Sequence, residues 1–267
     1  VIVPSKATDA PVKKYFGYQH GMIHPINVYY LRRMNFFYCE QLTDSPVFLN
    51  RDESYHCFKV MRLRKGAGIL VTDGKGNTAE AIILNSHPEK TEIKISKYIR
   101  LNSDPAYHLH IAISPLKNPV RLEWFAEKAT ELGVNEITPL ICSRTEKKTI
   151  NTERLKKNVL AAMKQSMRCI LPVVNEPADF NSFVNQQPIE STRLICTQSA
   201  DTPISSVLKN QIKITVLIGP EGDFTDDELA MAMKSGFRTV NLGTTRLRTE
   251  TAGIYICAAA KALISAP

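Results

Sequence analysis

LIGPEGDFTDDEL, residues 217–229, is the stretch whose reading decides the fold. Its first residues end the apolar run ITVLIGP (214–220), which reads as a strand. Gly219-Pro220-Glu221-Gly222 then turns the chain, and Thr225 with Glu228 three residues later has the spacing of a capping box that opens a helix over 224–236. A second block, LGTTRLRTETAG (242–253), repeats this order. TVNLG (239–243) reads as a strand, and ETAGIYICAAAKALI (250–264) as the last helix. Strand, tight turn and helix start is the unit from which parallel sheets are built. In such sheets ligands bind beyond the carboxyl ends of the strands. Two turns of this kind predict one small pocket lined by backbone amides and short side chains.

Upstream of these blocks the alternation continues. Strands are expected at 109–116, 136–142 and 193–199, and helices at 120–134, closed by Gly133, and at 152–167. The sum is an α/β domain with a parallel sheet covered on both faces. Residues 34–101 read differently, as short strands and tight turns. Asp73-Gly74 and Gly76-Asn77 separate two apolar runs as a hairpin would, EIKISKYI (92–99) alternates like a half-buried strand, and 56–69 reads as a short helix entering a Gly-marked turn. The polar, Pro-bearing 102–105 separates the two patterns. The expected organisation is a small β-barrel-like domain at 34–104 and an α/β domain at 105–267. Residues 1–33 show neither helical nor strand period and are expected to be a mostly disordered upstream extension.

The chain has 267 residues and a formal net charge of +8. The segment 144–168 concentrates eight basic residues against Glu146 and Glu153, which suits a phosphate-rich partner. No apolar stretch reaches the length of a membrane span and no signal-peptide pattern opens the chain. The six cysteines are scattered without a C-x-x-C pair, as in a reduced cytoplasmic protein, and no metal site is expected. G-x-x-x-x-G-K-[ST] and G-x-S-x-G are both missing, which excludes a P-loop NTPase and a nucleophile-elbow hydrolase.

Five blocks occur in one order: HCFKVMRLRKG with DGKG (56–66 and 73–76), RLEWFAEKATELGVNEITPL (121–140), KQSMRCILP (164–172), IGPEGDFTDDEL (218–229) and LGTTRLRTETA (242–252). In these blocks the chain resembles the 16S rRNA uracil-N3 methyltransferases, a branch of the SPOUT superfamily. The resemblance spans residue 34 to the C-terminus, and residues 1–33 match nothing in the family. It implies a PUA-like RNA-binding barrel followed by an α/β methyltransferase domain with a C-terminal trefoil knot. It also implies S-adenosylmethionine as cofactor, 16S rRNA or the small ribosomal subunit as partner, and a homodimer. One departure stands out. The family often has two glycines after Gly-Pro-Glu, and here the second is Asp223.

The resemblance implies a cofactor pocket between three strand ends: Thr197 on one; Leu217, Ile218, Gly219, Pro220 and Gly222 on the next; Leu242, Gly243, Leu247, Thr249 and Ala252 on the third. Glycines there would let backbone approach adenosine closely or turn left-handed. Methylating uracil N3 requires the imide proton to leave and the base to be held in line with the methyl group. Arg248 and Arg168 are candidates for stabilising the developing anion, and Glu250, with Glu221 beside it, for taking the proton. A carboxylate in a helix's first turn, as at Glu250, is also expected for structural reasons alone, and so is an arginine at a helix end, as at Arg168. Lys59, Arg62, Arg64 and Lys65 in the barrel, with Arg144, Gln165 and Arg168, are the expected RNA contacts. A ribose 2′-O-methyltransferase and a non-catalytic rRNA-binding assembly protein are the alternative readings.

Overall fold

The computed structural model describes residues 34–43, 46–101, 105, 107–188 and 190–264. The expected extension at 1–33 lies outside the described residues.

The first sheet is built from β1 (Phe36–Tyr38), β2 (Val47–Phe48), β3 (Gly68–Thr72), β4 (Thr78–Asn85) and β5 (Glu92–Ile99). Their order is β1-β3-β4-β5-β2, antiparallel except for the parallel pair β1–β3. Between β2 and β3 lies α1 (Arg51–Tyr55), capped by Asn50, whose side chain accepts from the Glu53 amide at 2.9 Å. It runs directly into a π-helical turn, His56–Val60. The basic block read as a short helix entering a Gly-marked turn is this π turn followed by a turn at Lys65 and Gly66, where Gly66 has φ +87. Phe37, Cys57, Ile69, Val71, Ile83 and Ile93 fill the core of this unit.

The second unit contains β6 (His108–Ile113), α2 (Pro119–Leu132), β7 (Glu136–Ile141), α3 (Thr152–Gln165), β8 (Val173–Val174), β9 (Ala178–Asp179) and α4 (Phe180–Asn185). They are followed by β10 (Thr192–Cys196), α5 (Ile204–Val207), β11 (Lys213–Ile218), α6 (Asp226–Lys234), β12 (Arg238–Val240) and α7 (Thr249–Ile264). The strand order is β12-β10-β11-β6-β7-β8, with β9 also beside β7, and every pairing is parallel. Parallel strands need long crossovers, which the helices supply. The strands β8 and β9 and the helices α4 and α5 are too short to carry a periodicity that sequence reading could detect.

Side chains of β11 alternate between two cores. Ile214, Val216 and Ile218 join α2 and α7 on one face, whereas Leu217 packs with Ala112, Ile195 and Phe224 on the other. On the first face α7 lies so close to α2 that a Cβ on Gly253 would stand 2.4 Å from the Phe125 ring.

The hairpin loop between β3 and β4 docks one unit onto the other. Asp73 shapes it, accepting from the Lys75 and Asn77 amides at 2.8 and 3.1 Å. Gly76 N–H then donates to the Cys169 carbonyl at 2.9 Å, and Leu171 N–H to the Gly74 carbonyl at 2.8 Å. Gly74 has φ +70, and a Cβ there would sit 3.0 Å from that of Leu171, so glycine is required. A second tie is the ion pair between Lys164 on α3 and Glu53 on α1, whose carboxylate also accepts from the Tyr38 amide at 3.1 Å.

Candidate active site

Three strand ends, those of β10, β11 and β12, converge on one cavity of about 470 Å³. Each end contributes for a local reason. Beyond β11 the chain turns at Gly219, where a Cβ would come within 3.1 Å of the Phe224 ring, and enters α6 through the expected capping box. Thr225 Oγ1 accepts from Glu228 N–H at 3.2 Å, and Glu228 Oε2 accepts from Thr225 N–H at 2.8 Å. The second Glu228 oxygen accepts from Ser143 N–H at 2.8 Å, which ties this turn to the end of β7. Beyond β12, Gly243 takes φ +109. The chain then crosses the β11 turn, where Arg246 donates from Nη2 to the Glu221 carbonyl at 3.0 Å, and Thr249 from Oγ1 to the Gly219 carbonyl at 3.0 Å.

Ile218, Leu242, Leu247 and Ala252 give the cavity apolar walls, while Thr197, Gly219, Pro220, Gly243 and Thr249 also line it. Cys196 closes its floor, and burial pushes that thiol well above its ordinary range, so it stays neutral. The charged groups at the cavity are Glu221, Asp223, Arg246 and Arg248. The volume and the mix of apolar walls with a few polar groups match a small-molecule site. Apolar walls suit an adenine ring, and hydroxyls and charges suit an amino-acid tail. The residues present therefore fit S-adenosylmethionine.

Several expected site residues face elsewhere. Leu217 is fully buried on the opposite face of the sheet, since adjacent residues of a strand point to opposite sides. Gly222 turns toward Arg144, whose Nη1 donates to the Gly222 carbonyl at 2.6 Å, and the left-handed residue of the turn is Asp223 instead. Arg144 is exposed but braces this turn. Glu250 is buried, faces Arg121 on α2 with Oε1 3.8 Å from its Nε, and does not line the cavity. Thr249 and Ala252 are three apart and share the cavity side of α7, which turns Glu250 away by about 100°.

Arg168 is 3% exposed and follows the left-handed Met167, which turns its side chain inward. Its Nη1 donates to the carbonyls of Thr130 and Val134 at 2.9 and 2.7 Å. It therefore caps the C-terminal end of α2, with its guanidinium buried and turned away from the surface. The helix-end expectation was right in kind, but the helix capped is another one. Gln165 is the exposed last residue of α3. Lys59, Arg62, Arg64 and Lys65 are all exposed around the π turn, with Lys59 Nζ 5.4 Å and Arg64 Cζ 4.9 Å from the Phe58 ring centre. Sequence reading did not name Gln198, Asp223, Thr245 and Arg246 as lining residues, although the last three lie inside the blocks 218–229 and 242–252 and Gln198 follows Thr197.

Residues 102–261 match the RNA methyltransferase domain family, and residues 49–96 match the RNA methyltransferase PUA domain family. Ribosomal RNA small subunit methyltransferase E of Synechocystis is 32% identical over 84% of this chain and 76% of its own length. A probable rRNA methyltransferase from Porphyromonas gingivalis superposes with a TM-score of 0.76 at 31% identity, covering 84% of this chain and 95% of that one. The small-subunit methyltransferase E of Neisseria gonorrhoeae, crystallised with S-adenosyl methionine, superposes at 0.82 with 27% identity, covering 87% and 98%. Two matched domains in the order the fold shows, and relatives alike along most of their length, make this chain a member of the small-subunit ribosomal RNA methyltransferase E family.

Proposed function

We propose that this protein transfers the methyl group of S-adenosylmethionine to N3 of a uracil in 16S rRNA, in the cytoplasm. The observation that carries the reading is the cavity at the ends of β10, β11 and β12, where apolar walls, threonine hydroxyls and the Arg248 guanidinium meet. A relative of the same fold that binds S-adenosyl methionine supports the choice of cofactor. When bound, the cofactor supplies an electrophilic methyl group on a cationic sulfur. The chain's task is then placement and proton removal. Arg248, exposed at the cavity where α7 begins, is placed to stabilise negative charge on the uracil oxygens as the imide proton leaves. Glu221 is the exposed carboxylate at the cavity able to accept that proton, a role that Glu250 cannot take from its site against Arg121. Incubating the protein with donor and 16S rRNA, free or in the small subunit, and then analysing nucleosides should yield 3-methyluridine. A ribose-methylated nucleoside, or no methylation with donor bound, would replace this reading.

The domain division 34–104 and 105–267 belongs to the same proposal, with the first unit docking RNA and the second carrying the chemistry. Four exposed cations around one turn favour phosphate contacts that position RNA without reading its sequence. Replacing Lys59, Arg62, Arg64 and Lys65 together by alanine should weaken rRNA binding and flatten its dependence on salt by up to about 4 log units per log unit. An unaltered slope would remove them from the interface.

A trefoil knot is supported by the path after β12. That strand lies at the sheet edge beyond β10, yet the chain passes across the β11 turn at Glu221 and Gly219 before α7 packs on α2. A homodimer is supported by Val120, Trp124 and Tyr255, which lie on α2 and α7 and are 57%, 45% and 43% exposed. Trp124→Glu should shift the sedimenting species from dimer to monomer, and a wild type that sediments as a monomer would refute the pairing.

A further inference from the structure

Asp223 adopts φ +60, the left-handed region where glycine is at ease and aspartate is tolerated. Glycine would serve this turn with less strain, so what the position gains from aspartate is its side chain. That side chain is held. Oδ1 accepts from the Phe224 amide at 2.8 Å, and Oδ2 accepts from Thr197 Oγ1 at 3.4 Å, so the carboxylate spans the turns after β10 and β11. Both residues line the cavity.

No direct ion pair with a described residue neutralises this carboxylate, although Arg246 and Arg248 line the same cavity. Among the described residues Asp223 forms no ion pair, and nor does Glu221 beside it. The nearby cation Arg246 donates to the Glu221 main-chain carbonyl and not to a carboxylate. A half-buried carboxylate held by two hydrogen bonds and without a direct ion-pair partner favours a cationic group placed beside it, and the two guanidiniums on the same cavity wall leave that place open.

We propose that Asp223 makes the cofactor site charge-selective, favouring the sulfonium of the methyl donor over the neutral thioether of the demethylated product. The inference rests on the cofactor reading above and deepens it. The two molecules share their adenosine and amino-acid parts and differ in one methyl group and one positive charge at sulfur. A carboxylate that senses that charge holds the donor and releases the product, so turnover itself lowers the affinity of what remains in the site.

Calorimetric titration with S-adenosylmethionine, S-adenosylhomocysteine and the amine-bearing analogue sinefungin tests this on the wild type, Asp223→Asn and Asp223→Gly. Both replacements suit a left-handed backbone, so the turn is preserved. The expected result is a loss of roughly tenfold in affinity for the donor and for sinefungin, with product affinity changed by less than about twofold. An equal loss for all three would mean that Asp223 binds a part they share, and it would overturn the proposal. Unchanged affinities would overturn it too. A wild type that binds none of the three would instead defeat the cofactor reading itself.

Discussion

Arg168→Ala is expected to lower the unfolding free energy by about 2–4 kcal/mol, because a buried cation bonded to two carbonyls is lost and a void remains. The two acceptors, Thr130 and Val134, stand at the end of α2, where the helix dipole also favours a positive charge. Gly133 closes this helix in a left-handed turn with φ +108, so the guanidinium and the glycine together complete its end. Lysine should not rescue the loss, since a single ammonium lacks the planar fork that reaches both carbonyls. Urea denaturation measures the effect, and thermal melting should show a drop of roughly 5–15 °C. If the variant kept its stability but lost rRNA affinity, the side chain would have to leave this site to meet RNA, and the capping role would fail.

For Arg248→Ala the expected change lies in turnover. A donor aimed at charge that develops only during reaction is worth about 100- to 1000-fold in kcat, while the affinity for S-adenosylmethionine should move little. Its position explains the separation. The Arg248 carbonyl accepts from Ala252 N–H at 2.8 Å and starts α7, and the side chain is exposed beside the cavity. Alanine keeps the backbone contact and removes only the guanidinium. Arg246→Ala is the internal comparison, since that guanidinium already holds the Glu221 carbonyl and its loss should weaken the crossing of the two turns. Single-turnover kinetics with saturating cofactor separate the two. Equal loss of cofactor affinity and rate in the Arg248 variant would reassign it to ground-state binding.

Element types and their order were legible in the sequence because they follow from local patterns. The apolar run before Gly219, the Thr225–Glu228 box and the helical period after Thr249 each predict what forms there. The glycine turns located the cavity for the same reason, since strand ends in a parallel sheet share one side. Where the reading fell short, the missing quantity was a direction or a distant partner. Leu217 and Ile218 are neighbours in sequence, yet only the register of β11 between β10 and β6 decides which faces the cavity. Glu250 and Thr249 differ by one step around α7, and the packing of that helix on α2 sends one to Arg121 and the other to the Gly219 carbonyl. Arg168 meets carbonyls more than thirty residues away, and the 73–77 hairpin loop meets a segment nearly a hundred residues on, through Gly74 with Leu171 and Gly76 with Cys169. By itself, then, the sequence determined the longer elements, their alternation and the place of the pocket, and left the two- to six-residue elements β8, β9, α4 and α5 unread. Only the tertiary structure decided which side chains enter it, because side-chain direction depends on contacts between segments that no local pattern encodes.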